Sequence, residues 1–275
     1  MSHLKNKTLS LLAKKTLKRN KKFGGIHQGE SCYLFGNGAS LKYFDLKKFD
    51  DKIVISCGPL SVHRDFKKMN VKYHFEGHPF FYYPYWTNPY TRKFEKNIYG
   101  AFYKEKIRLH KDVSYFLSLS NYFGIRDDNI YYIHHFDKPF DTFTDCKLDH
   151  SFTSMASGLG GMLGLAVCMG FKDITLVGCD YSFFPQSQGH FYEFGRLADS
   201  FHETPCNEKF LRAAAEHANL RVVTPNENYK GHILPHISYK DLTGDEPVYR
   251  ENHEICTQSD LLALNRCRMD YKIFP

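Results

Sequence analysis

Three short apolar runs in this chain each stop at a turn containing glycine. Residues 31–35 lead into Gly36-Asn37-Gly38, residues 52–57 into Gly58-Pro59, and residues 174–177 into Gly178-Cys179-Asp180. Runs of this length, apolar without strict alternation, are those of strands buried on both faces, which is the condition of a parallel sheet covered by helices. Residues 71–75, 129–135 and 220–224 extend the series of candidate strands. Between the later ones, residues 157–169 (rich in Ala, Leu, Met and Gly) and 207–218 read as helices. Strand and helix alternate, which predicts an α/β, Rossmann-like fold: a mainly parallel sheet with helices on both faces and ligands beyond the strands' carboxyl ends.

The pattern begins near Glu30. Residues 1–29 read as a basic appendage, carrying Lys5, Lys7, Lys14, Lys15, Lys18, Arg19, Lys21 and Lys22, much of the formal net charge of +7. Leu4, Leu11, Leu12 and Leu17 share part of a helical face beside them, which suits an anionic membrane surface, with a solvated basic tail as the alternative. The aromatics are not interleaved with these basic residues, so nucleic acid is not the expected partner. Residues 30–275 are expected to form one nucleotide-binding catalytic domain. Two stretches break its alternation. Residues 73–102 hold Phe80, Phe81, Tyr82, Tyr83, Tyr85, Trp86 and Tyr90 among Pro79, Pro84 and Pro89, and read as a packed aromatic insertion. Residues 181–205 read as a lid.

No apolar stretch approaches the roughly 20 residues of a membrane span, and the N-terminus lacks the pattern of a secretory signal. The expected location is cytoplasmic, peripheral on the membrane's inner face if the basic segment adheres there. Eight cysteines are present, but Cys32, Cys57, Cys168 and Cys179 lie in apolar segments and read as free thiols. Neither CxxC nor HExxH occurs, so no zinc site is expected. Asp-x-Asp is also absent, which removes the usual carboxylate clamp on a metal-bound diphosphate.

The candidate chemistry lies in the loops. Gly36 and Gly38 let backbone approach a ligand, and Asn37 and Ser40 offer polar groups to a phosphate or ribose. Ser157 and Gly158 open a helix whose N-terminus favours an anion. Asp180 ends a central strand, where it would orient ribose or the loop. Tyr181 and Tyr192 are candidate donors to a departing phosphate. His190 and His202 are candidate bases for an acceptor hydroxyl, by residue type and place on the loop.

Residues 35–41, Phe-Gly-Asn-Gly-Ala-Ser-Leu, resemble the Gly-Asn-Gly-Pro-Ser-Leu loop of the bacterial lipooligosaccharide sialyltransferases. Ser157-Gly158, Gly170-Phe171-Lys172-Asp173 and Gly178-Cys179-Asp180-Tyr181 are similar to that family's central helix and strand, and Tyr192-Glu193-Phe194 to its lid Tyr-x-Phe. The segment from His202 to Leu211 resembles the one that begins with the family's general base, so the resemblance nominates His202 over His190. It implies metal-independent transfer of a sialic-acid-like or Kdo-type sugar from a CMP donor to a glycan or glycolipid hydroxyl, with no cofactor; folds of this class commonly expose surfaces suited to symmetric assembly, so a homo-oligomer is among the expected partners. The family carries nucleotide-contacting asparagines after its second and third strands, where this chain has Gly58 and Gly77. A weaker similarity, in the Gly-rich start and the Gly-x-Asp strand end, is to the hydroxymethylpterin diphosphokinase-like group, which implies ATP and Mg²⁺. A non-catalytic nucleotide- or glycan-binding protein is the third reading.

Overall fold

The computed structural model describes residues 11, 13–137, 147–150, 152–154, 157–196, 199–200 and 208–275. Eight parallel strands form one sheet: β1 (Ser31–Phe35), β2 (Ile53–Cys57), β3 (Val71–Glu76), β4 (Ser114–Ser118), β5 (Ile130–Ile133), β6 (Asp173–Val177), β7 (Asn219–Thr224) and β8 (His236–Ser238). Their spatial order is β8-β7-β6-β1-β2-β3-β4-β5. The chain lays strands outward from β1 to β5, then crosses back to the other side of β1. That reversal creates a switch point above the ends of β1 and β6, the usual ligand position in such sheets.

Alternate side chains feed two cores. Tyr33, Phe35, Val54, Tyr115 and Leu117 face helices α1 (Ile98–Leu109) and α4 (Gln258–Arg266) through Tyr99, Tyr103, Ile107, Leu261 and Leu264. On the other face, Cys32, Leu34, Ile55, Phe116 and Leu176 meet α2 (Gly158–Met169) and α3 (Glu208–Ala215). A register shift between β2 and β3 puts Val71 in the first core and Tyr73 in the second, although they are two residues apart. In α2 the glycines permit close helix-to-sheet packing: a Cβ on Gly161 would sit 2.0 Å from the Phe75 ring. Among the described residues no helix is long and apolar enough to cross a membrane.

The described part of the N-terminal segment differs from the expected appendage. Its helical turns, Lys14–Leu17 and Lys18–Phe23, bury Leu17, Asn20 and Phe23. Asn20 donates to the carbonyls of Tyr132 (2.7 Å) and Leu148 (2.8 Å), so it ties the segment to the outermost strand, β5. The packed body therefore begins well before Glu30, because an open sheet edge needs covering. Of the expected apolar face, Leu17 is buried and Leu11 is exposed, while Leu4 and Leu12 lie outside the described residues; Lys14, Lys15, Lys18 and Lys21 are exposed.

The aromatic insertion is partly a core element. Phe81 and Tyr82 are buried, while Tyr85 and Phe94 pair across a small hairpin (Tyr85–Thr87 with Phe94–Lys96) and stay exposed. Its last residues belong to α1, capped by the Asn97 side chain, which accepts from the Gly100 amide at 2.7 Å.

Candidate functional site

At the switch point the pairing of β1 and β6 continues past the strands. The Gly36 amide donates to the Val177 carbonyl (2.9 Å) and the Gly38 amide to that of Gly178 (2.8 Å). A Cβ on Gly36 would lie 2.4 Å from the Gly178 oxygen, and one on Gly38 would lie 2.3 Å from the Asp180 carboxyl. These glycines serve loop-to-loop approach. Asp180 is buried and accepts from both the amide (2.8 Å) and hydroxyl (2.5 Å) of Ser40, itself fully buried. The amides of the glycine loop and the Ser40 side chain are expected from the sequence to meet phosphate or ribose; the Gly36 and Gly38 amides and the Ser40 amide and hydroxyl donate within the protein instead.

Burial pushes the Asp180 carboxyl up to about 7, against the opposing bonds from Ser40; of its titratable neighbours, His190 opposes the rise and Asp199 adds to it. The ordinary value is 3.8, so the folded state holds this proton more tightly than the unfolded chain. The associated stability is full below about pH 4, declines as pH rises toward 7, and changes no further above it. Asp180→Asn mimics the protonated form. The variant is expected to match the wild type near pH 4 and to exceed it progressively toward pH 8, by at most about 4 kcal/mol on 1.36 kcal/mol per pKa unit. Urea unfolding at several pH values measures this, and a constant difference across pH would exclude it.

The segment after Asp180 closes over the loop. His190 forms a β-bridge with Gly38, and the Phe191 amide donates to the Asn37 carbonyl at 3.1 Å. The His190 ring stacks on Tyr192 at 5.0 Å, and Tyr192 packs on Tyr271 at 5.1 Å. Tyr192, a candidate phosphate donor by sequence, is buried in the core, and burial pushes its hydroxyl well above the ordinary phenol range. Tyr181 is 47% exposed at the segment's start. Phe183, Gln186, Phe191 and Tyr192 are all buried, so the described part of the expected lid is an integral layer of the domain. His202 lies outside the described residues.

Beside this lock, three remote segments meet. The Asn37 amide group donates to the Cys57 carbonyl at the end of β2 (3.0 Å), and a Cβ on Gly158 would lie 2.7 Å from Cys57 Sγ. Ser157 caps α2 by accepting from the Gly160 amide at 3.0 Å. Asn37 Oδ1 is buried and has no donor among the described residues. An orphaned acceptor of this kind costs about 1–3 kcal/mol and calls for a partner. Burial pushes the thiols of Cys57 and Cys179 up, so neither offers a thiolate nucleophile.

Two features escaped the sequence reading. After β3, the buried Glu76 carboxylate accepts from the His78 amide (3.1 Å) and from His78 Nδ1. The Glu76 charge and bond raise His78 to about 9, which fixes an exposed imidazolium at the sheet's carboxyl edge at neutral pH. The signal was Glu76-Gly77-His78 itself, read only for its glycine. The second feature is a cavity of about 190 Å³ next to the β1 loop. Lys42 lines it, and its buried ammonium donates to the carbonyls of Glu193 (2.5 Å) and Gly195 (2.7 Å) and to Glu251 (3.0 Å). Among the described residues, no group of three or more His, Cys, Asp or Glu side chains is placed to hold a metal ion.

No family model matches the chain, and no curated protein matches it at a significant level. Among solved structures it is similar to MAf glycosyltransferase from Magnetospirillum magneticum AMB-1, with a TM-score of 0.43 and 12% sequence identity over 94% of this chain. The chain spans 42% of that protein's length.

Proposed function

We propose that the protein is a metal-independent glycosyltransferase that moves a sialic-acid-like or Kdo-type sugar from a CMP donor to a hydroxyl of a glycan or glycolipid. The observation that carries this reading is the orphaned Asn37 Oδ1, held between the ends of β1 and β2 and close to the start of α2. A nucleotide hydroxyl or amine satisfies it. The first amides of α2 receive the phosphate, and the His78 imidazolium contributes positive charge on the same edge of the sheet. Asp180 and Ser40 act on the loop, not on the ligand. His202 takes the acceptor proton, a role that rests on the resemblance of residues 202–211 alone.

The test is thermal-shift binding of CMP, CDP, UDP, GDP and ATP, each with and without Mg²⁺. CMP at a hundredfold excess over its Kd is expected to stabilise the native state by about 2.7 kcal/mol, a rise of several degrees in Tm, without metal. Stabilisation by ATP alone, and only with Mg²⁺, would replace this reading with the diphosphokinase-like one.

A further inference from the structure

The geometry points to the cavity beside the β1 loop as a binding site for one sugar ring that bears a carboxylate. This rests on the glycosyltransferase reading for the sugar's place beside the nucleotide, since Ala39 of the cavity wall follows the Gly36–Gly38 turn directly and Lys42 lies in the same helical turn, Ala39–Tyr43. The cavity, about 190 Å³ and open to solvent on the side of the exposed Arg196 and Asp199, is of the size that takes one six-membered ring with substituents, given that a cavity of roughly 150 Å³ takes a benzene.

The wall is polar and prearranged. Arg196 projects into it from the turn held by Lys42 and Glu251: Glu251 accepts from the Gly195 amide at 3.1 Å, from the Tyr249 hydroxyl at 3.0 Å and from Lys42. The Arg196 guanidinium lies over the Tyr249 ring, 4.5 Å from its centroid, and makes no ion pair among the described residues. Lys42 is neutralised by Glu251, which leaves Arg196 as the cation the cavity presents to a ligand. Its planar fork matches a carboxylate in a bidentate manner.

Also lining the cavity, Asp199 accepts from the hydroxyls of Ser187 (3.1 Å) and Tyr229 (2.9 Å). A carboxylate offers about four lone-pair sites, so Asp199 keeps acceptor capacity for ring hydroxyls. Tyr43 and Tyr249 add aromatic faces, with their ring centroids 5.4 Å apart. The nearby Asp199 charge disfavours a phosphate dianion more than a carboxylate monoanion, because repulsion scales with the ligand's charge.

Galacturonate and galactose differ only in the oxidation of C6, so they isolate the carboxylate. Binding of each, and of N-acetylneuraminate and inorganic phosphate, is measured by titration calorimetry on the wild type, Arg196→Gln and Arg196→Lys, with CMP binding measured in parallel. The acidic sugars are expected to bind about tenfold or more tightly than galactose and phosphate. Arg196→Gln should lose that advantage, Arg196→Lys should retain only part of it, and CMP affinity should stay unchanged. Equal binding of galactose and galacturonate, competition by phosphate, or indifference to Arg196→Gln would overturn the assignment. Acidic-sugar binding without CMP binding would leave the cavity assignment standing and remove the CMP-donor reading.

Discussion

His202→Ala is expected to lower transfer to a glycan acceptor by about 10²–10⁴-fold, the usual contribution of a general base, while CMP raises the Tm of the variant as much as that of the wild type. A base must be neutral at the working pH and within reach of the acceptor. The chain has fifteen histidines, and the structure narrows them. His63 and His74 are pushed down to about 4 by burial, which keeps them neutral but sealed in the core. His78 is exposed, yet Glu76 holds it protonated at neutral pH, the wrong state for a base and the right one for attracting phosphate. His190 stacks on Tyr192 with its Nδ1 3.6 Å from the Glu193 carboxylate, and stays half-buried, so geometry by itself does not exclude it. His202 is nominated by its segment's resemblance alone and lies outside the described residues. The decisive assay pairs product formation with CMP binding on the same variant: parallel loss of both would make His202 a binding or structural residue.

Lys42→Met is expected to destabilise the protein by about 3–5 kcal/mol, the effect of removing one member of a buried ion pair, or roughly 10 °C in Tm at 2–4 °C per kcal/mol. Lys42 is 1% exposed and Glu251 17%. Burial lowers the Lys42 ammonium from its ordinary value, and the Glu251 partner opposes that change. Burial also works against ionisation of Glu251, but the Asn252 amide, Lys42 and the Tyr249 hydroxyl together hold it below the ordinary carboxylate range. Methionine would leave that carboxylate, and the carbonyls of Glu193 and Gly195, without their donor. The double variant Lys42→Met/Glu251→Gln should recover part of the loss, since no unpaired charge then remains. Additive losses in the denaturation cycle would show that the two side chains act independently. Because Gly195 precedes Arg196, the single variant should also weaken acidic-sugar binding.

Much of the scaffold is legible in the sequence. Strands β1, β2, β3, β5, β6 and β7 each coincide with an apolar run, and α2 and α3 with the two helical candidates. β4 was not read as a strand because Ser114–Ser118 sits within a longer apolar stretch that no glycine or proline punctuates. β8 has only three residues at a sheet edge, too few to show a period. The basic segment was read from its lysines, yet its position is decided by Leu17, Asn20 and Phe23 and by the unpaired edge of β5.

The candidate site divides in the same way. Local composition by itself determined that loops containing Asn37, Ser157 and Asp180 follow strands or open a helix, because backbone conformation and periodic burial are short-range properties. Which of those polar groups remain available to a ligand is a matter of long-range pairing. Asp180 meets Ser40 across 140 residues, Lys42 meets Glu251 across 209, and both pairs are satisfied internally. Asn37 Oδ1, the His78 imidazolium and the Arg196 guanidinium keep unused capacity only because of what the fold does or does not place against them. Burial and desolvation act through those tertiary neighbours, and so the tertiary structure decided which residues can do chemistry.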